Sequence, residues 1–444
     1  MKAFKAYDIR GIYGIDFTKE DVYKVGFFLP ELLKTDKVLV GRDVRVSSDE
    51  IHKALTLGIT DAGADVYDLG LATTPMVYYF TAKHHFSASV QITASHNPKQ
   101  YNGLKISAEN ASPVGYDTGL SELECMVKNE QVVPVSSKGK IVDYPSKEEY
   151  ISFLKSYITD FSNLKMVIDC SNGMACLLVK SVLGDKHLYL NDNLDGTFPS
   201  HEPNPLEAEN IVQLQQAVKQ QQADIGIIFD GDADRVMFVD ENANFISPDL
   251  MIAVLGHYFK KKNQMGNVLF DIRTSKSVEE YLIKLGFIPN IWKVGRAFAA
   301  LRLRELDGIF GGELAGHYYF KDFFYSDSGM LACVILLDIF ADFKRKGLTV
   351  SQVIKQIVKY ANSGEINFKI EDKQAAMETI KNYFCTLESP IKIYDFDGYR
   401  IEFEDWWFNI RPSNTEPYLR FLAEAKTQQM LVEKIEIVKQ LLKY

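Results

Sequence analysis

Three carboxylates stand at alternate positions in Asp230-Gly231-Asp232-Ala233-Asp234, with Arg235 next and the apolar run Ile225–Phe229 before them. In a tight turn at the end of a buried strand, side chains at i, i+2 and i+4 can aim their oxygens at one hard cation. Few ligands, with room left for a phosphate oxygen, suit Mg²⁺ better than Ca²⁺. An EF-hand does not fit. Glu241 falls at the last loop position, but Arg235 occupies the one that needs glycine and the flanks read as strands. A solvated acidic loop and a nucleophilic aspartate are the other readings the stretch allows.

Three more loops carry chemistry-bearing side chains. The stretch QITASHNPKQYNGLKI, residues 91–106, sets Ser95 beside His96. In an extended backbone neighbours project to opposite sides, so adjacency does not make a Ser–His pair, and no Gly-x-Ser-x-Gly elbow surrounds the serine. Plain turn chemistry would also explain Thr, Ser, Asn and Pro together. With a metal-binding carboxylate set elsewhere, Ser95 and Lys105 supply parts of phosphoryl transfer: a hydroxyl and a cation. The loop Gly311-Gly312-Glu313-Leu314-Ala315-Gly316-His317 holds one carboxylate and one imidazole, able to hydrogen-bond vicinal sugar hydroxyls. A structural glycine turn is its plainer reading. In Arg411-Pro412-Ser413-Asn414-Thr415-Glu416-Pro417, a guanidinium, hydroxyls and an amide compose an anion cradle, or an ordinary turn.

The elements that must position these loops follow a strand-then-helix rhythm. Apolar runs at Lys37–Asp43, Lys165–Asp169 and Val268–Asp271 each end in a charged residue and a small-polar helix cap: Ser47-Ser48, Ser171-Asn172-Gly173 and Thr274-Ser275. Each set later reaches a strand that ends in one of the loops above, after Ser89–Ile92, Ile225–Phe229 and Ile309-Phe310. Strands alternating with helices imply parallel sheets. The expected fold is three tandem, similar α/β domains with mixed, mainly parallel sheets, over residues 1–140, 141–245 and 246–360. Residues 361–444 form a different, α+β domain: Glu365–Ile370 and Ile391–Phe403 alternate like antiparallel strands, Asp397-Gly398 signals a turn, and Gln428–Leu442 reads as a closing amphipathic helix.

The bulk properties bound the rest. A chain of 444 residues has room for several cores. A net charge of −9 argues against bulk nucleic-acid binding, which needs a basic face. Cys125, Cys170, Cys176, Cys333 and Cys385 form no Cys-x-x-Cys pair, as expected of free thiols in a reducing compartment. No stretch reads as a signal peptide or a membrane span, so a cytoplasmic protein without membrane contact is expected.

In this order, TASHNPKQYNGLKI, DGDADR, GGELAGH and RPSNTEP resemble the loops of the α-D-phosphohexomutases, with closest similarity to bacterial phosphomannomutase/phosphoglucomutase enzymes. With YDIRG (Tyr7–Gly11) and GRDVRVSS (Gly41–Ser48), the resemblance covers the whole chain. It implies four domains around a central cleft, each giving one loop. It also implies interconversion of hexose 1-phosphate and hexose 6-phosphate, of mannose, glucose or both, through a phosphoserine and a hexose 1,6-bisphosphate. On this resemblance Ser95 carries the phosphoryl group and, with Asp230, Asp232 and Asp234, holds Mg²⁺. Arg10, His96, Lys105 and Arg235 surround the transferring group, Lys105 as proton-transfer partner. Glu313, Ala315 and His317 face the sugar. Arg411, Ser413, Asn414, Thr415 and Arg420 grip the distal phosphate, and Arg273, Lys293 and Arg296 contact substrate.

The chain departs from the pattern in places. Ala315 replaces a usual serine, and Arg273 stands where relatives have lysine. Asn414 stands where phosphoglucosamine mutases have glycine. The alternatives are a phosphoglucosamine mutase or a Mg²⁺-dependent sugar-phosphate phosphatase. The expected partners are small sugar phosphates, with the protein a monomer or homodimer.

Overall fold

The computed structural model describes residues 2–145, 147–413 and 418–443. Its first three sheets share one plan. In the first, parallel strands Lys37–Arg42, Asp65–Leu71 and Ala88–Ile92 form the centre, and Tyr101–Ala108 returns antiparallel beside Ala88–Ile92. In the second, Met166–Asp169, Leu188–Leu190 and Ile225–Phe229 are parallel, and Val236–Asp240 returns antiparallel. In the third, Asn267–Asp271, Ile288–Trp292 and Phe310–Gly312 are parallel, and Tyr318–Phe320 returns. Each chemistry-bearing loop therefore joins the last parallel strand to its antiparallel neighbour. That puts it at the carboxyl end of the parallel strands, where open α/β sheets place their ligands. These strands are apolar on both faces because helices cover both: Val38, Leu39 and Val40, and likewise Ile225, Ile227 and Ile228, are fully buried.

The fourth sheet is antiparallel throughout, from Ala361–Asn362 and Ile366–Phe368 through Leu419–Ala425 and Trp406–Pro412 to Tyr399–Glu402 and Lys392–Tyr394. Asp397-Gly398 lies in the expected turn, with Gly398 at φ +67°, a conformation glycine adopts without steric cost. The closing helix spans Gln428–Leu442, its start capped by Thr427, whose side chain accepts from the Met430 N–H.

One apolar cluster runs through the first three domains, joining Met76 and Phe80 to Tyr150, Phe229, Phe270 and the helix Gly329–Arg345. The fourth domain packs a core of its own around Phe384, Trp406, Phe408 and Phe421. Polar contacts tie it to the third. The fully buried Arg400 guanidinium lies over the Trp407 ring and donates to the carbonyls of Ile272 (3.1 Å) and Thr274 (2.7 Å). Glu424 accepts from the Lys276 N–H at 3.0 Å.

Two local expectations are corrected. Ser47 precedes the helix Ser48–Asp61 but caps nothing; its hydroxyl accepts from Asn102, while the Ser48 hydroxyl donates to Asp43. Ser171 and Asn172 take left-handed conformations, and a short 3₁₀ turn, Met174–Leu177, comes before the helix Val179–Leu183. Among the described residues no helix is long and apolar enough to cross a membrane.

Candidate functional site

The carboxylate loop is buried, with Asp230, Asp232 and Asp234 each fully shielded from solvent. One oxygen from each lies within 4.8 Å of the others. Arg235 was the one neutralising charge visible in the sequence; the structure adds a closer one. Lys105, on the return strand of the first domain, reaches across so that its Nζ lies 2.6 Å from both Asp232 and Asp234. Burial alone would lower the Lys105 pKa, but these two carboxylates outweigh it and push it up. Asp234 is held at about 2: burial raises it, and the surrounding charges, that of Lys105 foremost, more than reverse that. Asp230 lacks so close a cation, and burial with the charges of Asp234 and Asp232 pushes it far above the usual carboxylate range.

Ser95 sits over this loop, its hydroxyl donating to Asp230 Oδ2 at 2.8 Å. The strand Ala88–Ile92 ends and the backbone turns left-handed at Ser95, φ +53°. This corrects the extended-backbone expectation, because the turn brings His96 Nδ1 to 3.3 Å from Ser95 Oγ. Burial and the charges of Arg235, Arg10 and Lys105 hold the His96 imidazole far below its ordinary pKa, hence neutral. Arg10 pairs with Asp8 and donates to Asn97 Oδ1 at 2.8 Å, so it lies on the same loop. Gly231 is needed here: a Cβ would stand 2.5 Å from the Ser95 carbonyl oxygen.

The glycine-rich loop meets the carboxylate loop directly. Arg235 donates from Nε to His317 Nε2 at 3.0 Å, and the other ring nitrogen of His317 lies 2.6 Å from Asp327. Those partners fix the imidazole as the Nδ1–H tautomer. Glu313 accepts from the Tyr319 hydroxyl at 2.6 Å and from the Gly295 N–H at 3.3 Å. Ala315 is half-buried beside them.

Arg411 donates to Asp397 at 3.1 Å, and Arg420 lies 3.0 Å from Glu365. Arg273 chelates Asp271 and approaches Glu365 at 3.5 Å, which links the third and fourth domains. Ser413 donates its backbone N–H to the Tyr418 carbonyl, whereas Asn414 and Thr415 lie outside the described residues. Arg296 turns inward, its guanidinium 3.7 Å above the Tyr78 ring and 3.0 Å from Asp327. Lys293 lies over Phe298.

Two residues that matter here carry no signal in the sequence. Thr74, at the start of the helix Thr74–Lys83, donates its hydroxyl to Asp232 across the domain boundary. Asp327 joins His317 to Arg296 from just before the helix Gly329–Arg345. Both contacts are tertiary, and neither residue lies in a loop of telling composition.

The carboxylates fit a small hard dication. Asp232 Oδ1 and Asp234 Oδ1 are buried without a hydrogen-bond partner, and the three converging aspartates offer only hard oxygens. Fold and site together define a phosphoryl-transfer enzyme of three α/β domains and one α+β domain, with a hydroxyl held over a carboxylate cluster.

Family models for phosphoglucomutase/phosphomannomutase α/β/α domains I, II and III match residues 1–132, 148–243 and 247–360, and the model of the C-terminal domain matches 365–436. The chain is 36% identical to a phosphomannomutase of Vibrio cholerae, covering 100% of this chain and 98% of that protein. It is 35% identical, with the same coverage, to a phosphomannomutase of Methanocaldococcus jannaschii. The crystal structure of a phosphoglucomutase/phosphomannomutase family protein from Burkholderia thailandensis superposes with a TM-score of 0.88 at 26% identity, covering 100% of this chain and 97% of that one. The chain belongs to the phosphoglucomutase/phosphomannomutase family, within the α-D-phosphohexomutases. It is an isomerase, a hexose-phosphate mutase.

Proposed function

We propose that the chain interconverts the 1- and 6-phosphates of mannose, and of glucose as a second substrate, with Ser95 as the phosphoryl carrier. Mannose comes first because the relatives at 35–36% identity are named phosphomannomutases. The observation that carries the reading is Ser95 Oγ at 2.8 Å from Asp230, above the trio of carboxylates and within reach of His96 and Arg10's loop.

Asp230, Asp232, Asp234 and Ser95 would hold Mg²⁺, which supplies positive charge to the oxygens of the transferring phosphoryl group. In each half-reaction the bond between phosphorus and Ser95 Oγ breaks as one to a sugar hydroxyl oxygen forms, or the reverse. The hydroxyl loses its proton as the serine gains one. Lys105 is the proton-transfer partner, its ammonium oriented by Asp232 and Asp234. Arg10, neutral His96 and Arg235 line the space in which charge develops, fixed beforehand by their own partners. Glu313 and His317, with the backbone at Ala315, read the sugar hydroxyls.

Arg411, Ser413, Asn414, Thr415 and Arg420, with Arg273, Lys293 and Arg296, bind the phosphate that does not react. That remote contact orients the sugar, and the hexose 1,6-bisphosphate turns around to present its other end. Domain limits at 140, 245 and 360 and a cytoplasmic location complete the proposal.

A coupled assay with mannose 1-phosphate and glucose 1-phosphate, Mg²⁺ and a trace of hexose bisphosphate tests it. Conversion of the first with almost no free phosphate is expected. Stoichiometric phosphate release would support the phosphatase alternative, and turnover of glucosamine phosphate alone the other.

A further inference from the structure

We propose that Arg45 is a positioning residue for phosphoryl transfer, a clamp that fixes the Ser95 loop on the carboxylate loop; this rests on Ser95 as the carrier. The Arg45 side chain is fully buried, and each of its five N–H donors has a place. Nη2 donates to the carbonyls of Ser95 (2.8 Å) and Asn97 (2.6 Å). Nη1 donates to those of Pro98 (2.8 Å) and Tyr101 (3.1 Å), and Nε to Asp43 Oδ2 (3.1 Å). Four carbonyls of one short segment, Ser95 to Tyr101, thus converge on one planar fork. Because every donor is used inside the protein, none is left for a substrate phosphate, which separates Arg45 from Arg10 and Arg411.

The clamp also reaches the second domain. The guanidinium lies 5.0 Å from the centroid of the Phe198 ring, and Arg45 makes a backbone bridge to Gly196. A few residues on, Pro203 packs against Gly231, within 3.3 Å of where a Cβ would stand, on the face that also meets the Ser95 carbonyl. The segment 196–203 therefore spans from Arg45 to the carboxylate loop. One guanidinium and one short segment set the separation between the phosphoryl carrier and its carboxylates. Ser95 needs such support because its left-handed φ of +53° is disfavoured for a residue with a side chain. The serine must also present the same group to either end of the sugar, so its position has to hold through both half-reactions.

The chemistry of the clamp is specific to arginine. Lysine keeps the charge but offers three donors and no planar fork, so at least two of the five acceptors lose the hydrogen bond that Arg45 gives them.

The test uses the full chain carrying Arg45→Lys, with Phe198→Leu as a second variant that leaves every hydrogen bond in place. Steady-state kinetics are read with hexose 1-phosphate, and single-turnover phosphorylation of Ser95 by hexose 1,6-bisphosphate is read by intact mass. For folded Arg45→Lys, kcat and the single-turnover rate are expected to fall together by about 10²-fold, the effect of misplacing a reacting atom, with KM within about two-fold of wild type. For Phe198→Leu the same pattern is expected at about 10-fold. Wild-type kcat in folded Arg45→Lys, or a raised KM with unchanged kcat, overturns the proposal. If Arg45→Lys does not fold, Phe198→Leu decides in the same way: unchanged kcat overturns. A wild-type chain that itself turns over nothing would instead refute the mutase reading.

Discussion

Replacing Lys105 with methionine should destabilise the protein most when no divalent cation is present, and should deepen its response to Mg²⁺. The Lys105 ammonium lies 2.6 Å from one oxygen each of Asp232 and Asp234. At an effective dielectric constant of about 20, each contact is worth roughly 6 kcal/mol of gross attraction. Dehydration of the three buried ions offsets most of this, and removing one partner of such a group typically costs about 3–5 kcal/mol. The methionine also leaves carboxylate oxygens within 4.8 Å of one another with only Arg235, 3.8–3.9 Å from Asp230 and Asp234, to offset a repulsion of roughly 3 kcal/mol per charged pair at that separation.

Calorimetry with EDTA and then with millimolar Mg²⁺ reads both effects. The transition of the first three domains, which share one core, should fall by roughly 4–6 °C in EDTA. Mg²⁺ should raise the variant more than the wild type, because the ion then replaces the missing charge and its binding to the folded state adds stability. An unchanged transition in EDTA, or equal Mg²⁺ shifts in both proteins, would refute the reasoning.

Asp327→Asn should free the His317 tautomer and release Arg296, lowering kcat/KM by roughly 10–100-fold, the usual worth of a carboxylate that orients a histidine; an unchanged value contradicts that role. His201 has its pKa raised, since the hydrogen bond and charge of Asp169 outweigh the lowering by burial. Its stabilisation is therefore full below the unfolded pKa and lost as pH rises through the higher folded one. The Tm gap between wild type and His201→Asn should be wider at about pH 5.5 than at about pH 9, and an equal gap would contradict the pairing. Arg400→Met removes an anchor between the third and fourth domains and leaves Glu402, which accepts from Arg400 Nε at 2.8 Å, with only the more distant Lys276 at 3.6 Å. A loss of about 3–5 kcal/mol is expected by calorimetry, and none is expected if the anchor is unimportant.

The loops were legible because their chemistry is local. Three alternating aspartates after an apolar run, or Ser, His and Lys close together after a short apolar strand, keep their meaning whatever surrounds them. The shared plan of three domains was legible too, since strand, cap and helix recur with a polar loop after the last parallel strand. What stayed hidden is tertiary. Nothing in GRDVRVSS says that Arg45 donates to four carbonyls of a loop distant in sequence. Thr74 acts across a domain boundary in the same way, and Asp327 acts between distant parts of the third domain. The position of His96 depended on one backbone angle, the left-handed φ of Ser95, which the residue type disfavours and only the packed loop enforces. The sequence marks Lys105 as a cation for phosphoryl transfer, yet its role as counter-ion to Asp232 and Asp234 requires knowing that two sheets face each other.

Peptide mapping of protein treated with hexose 1,6-bisphosphate tests Ser95 as the carrier most directly. The account predicts one phosphate per chain, on Ser95, discharged on adding hexose 1-phosphate at a rate no slower than turnover, and neither phosphate nor turnover in Ser95→Ala. Phosphate on another residue, or full turnover by Ser95→Ala, would contradict it.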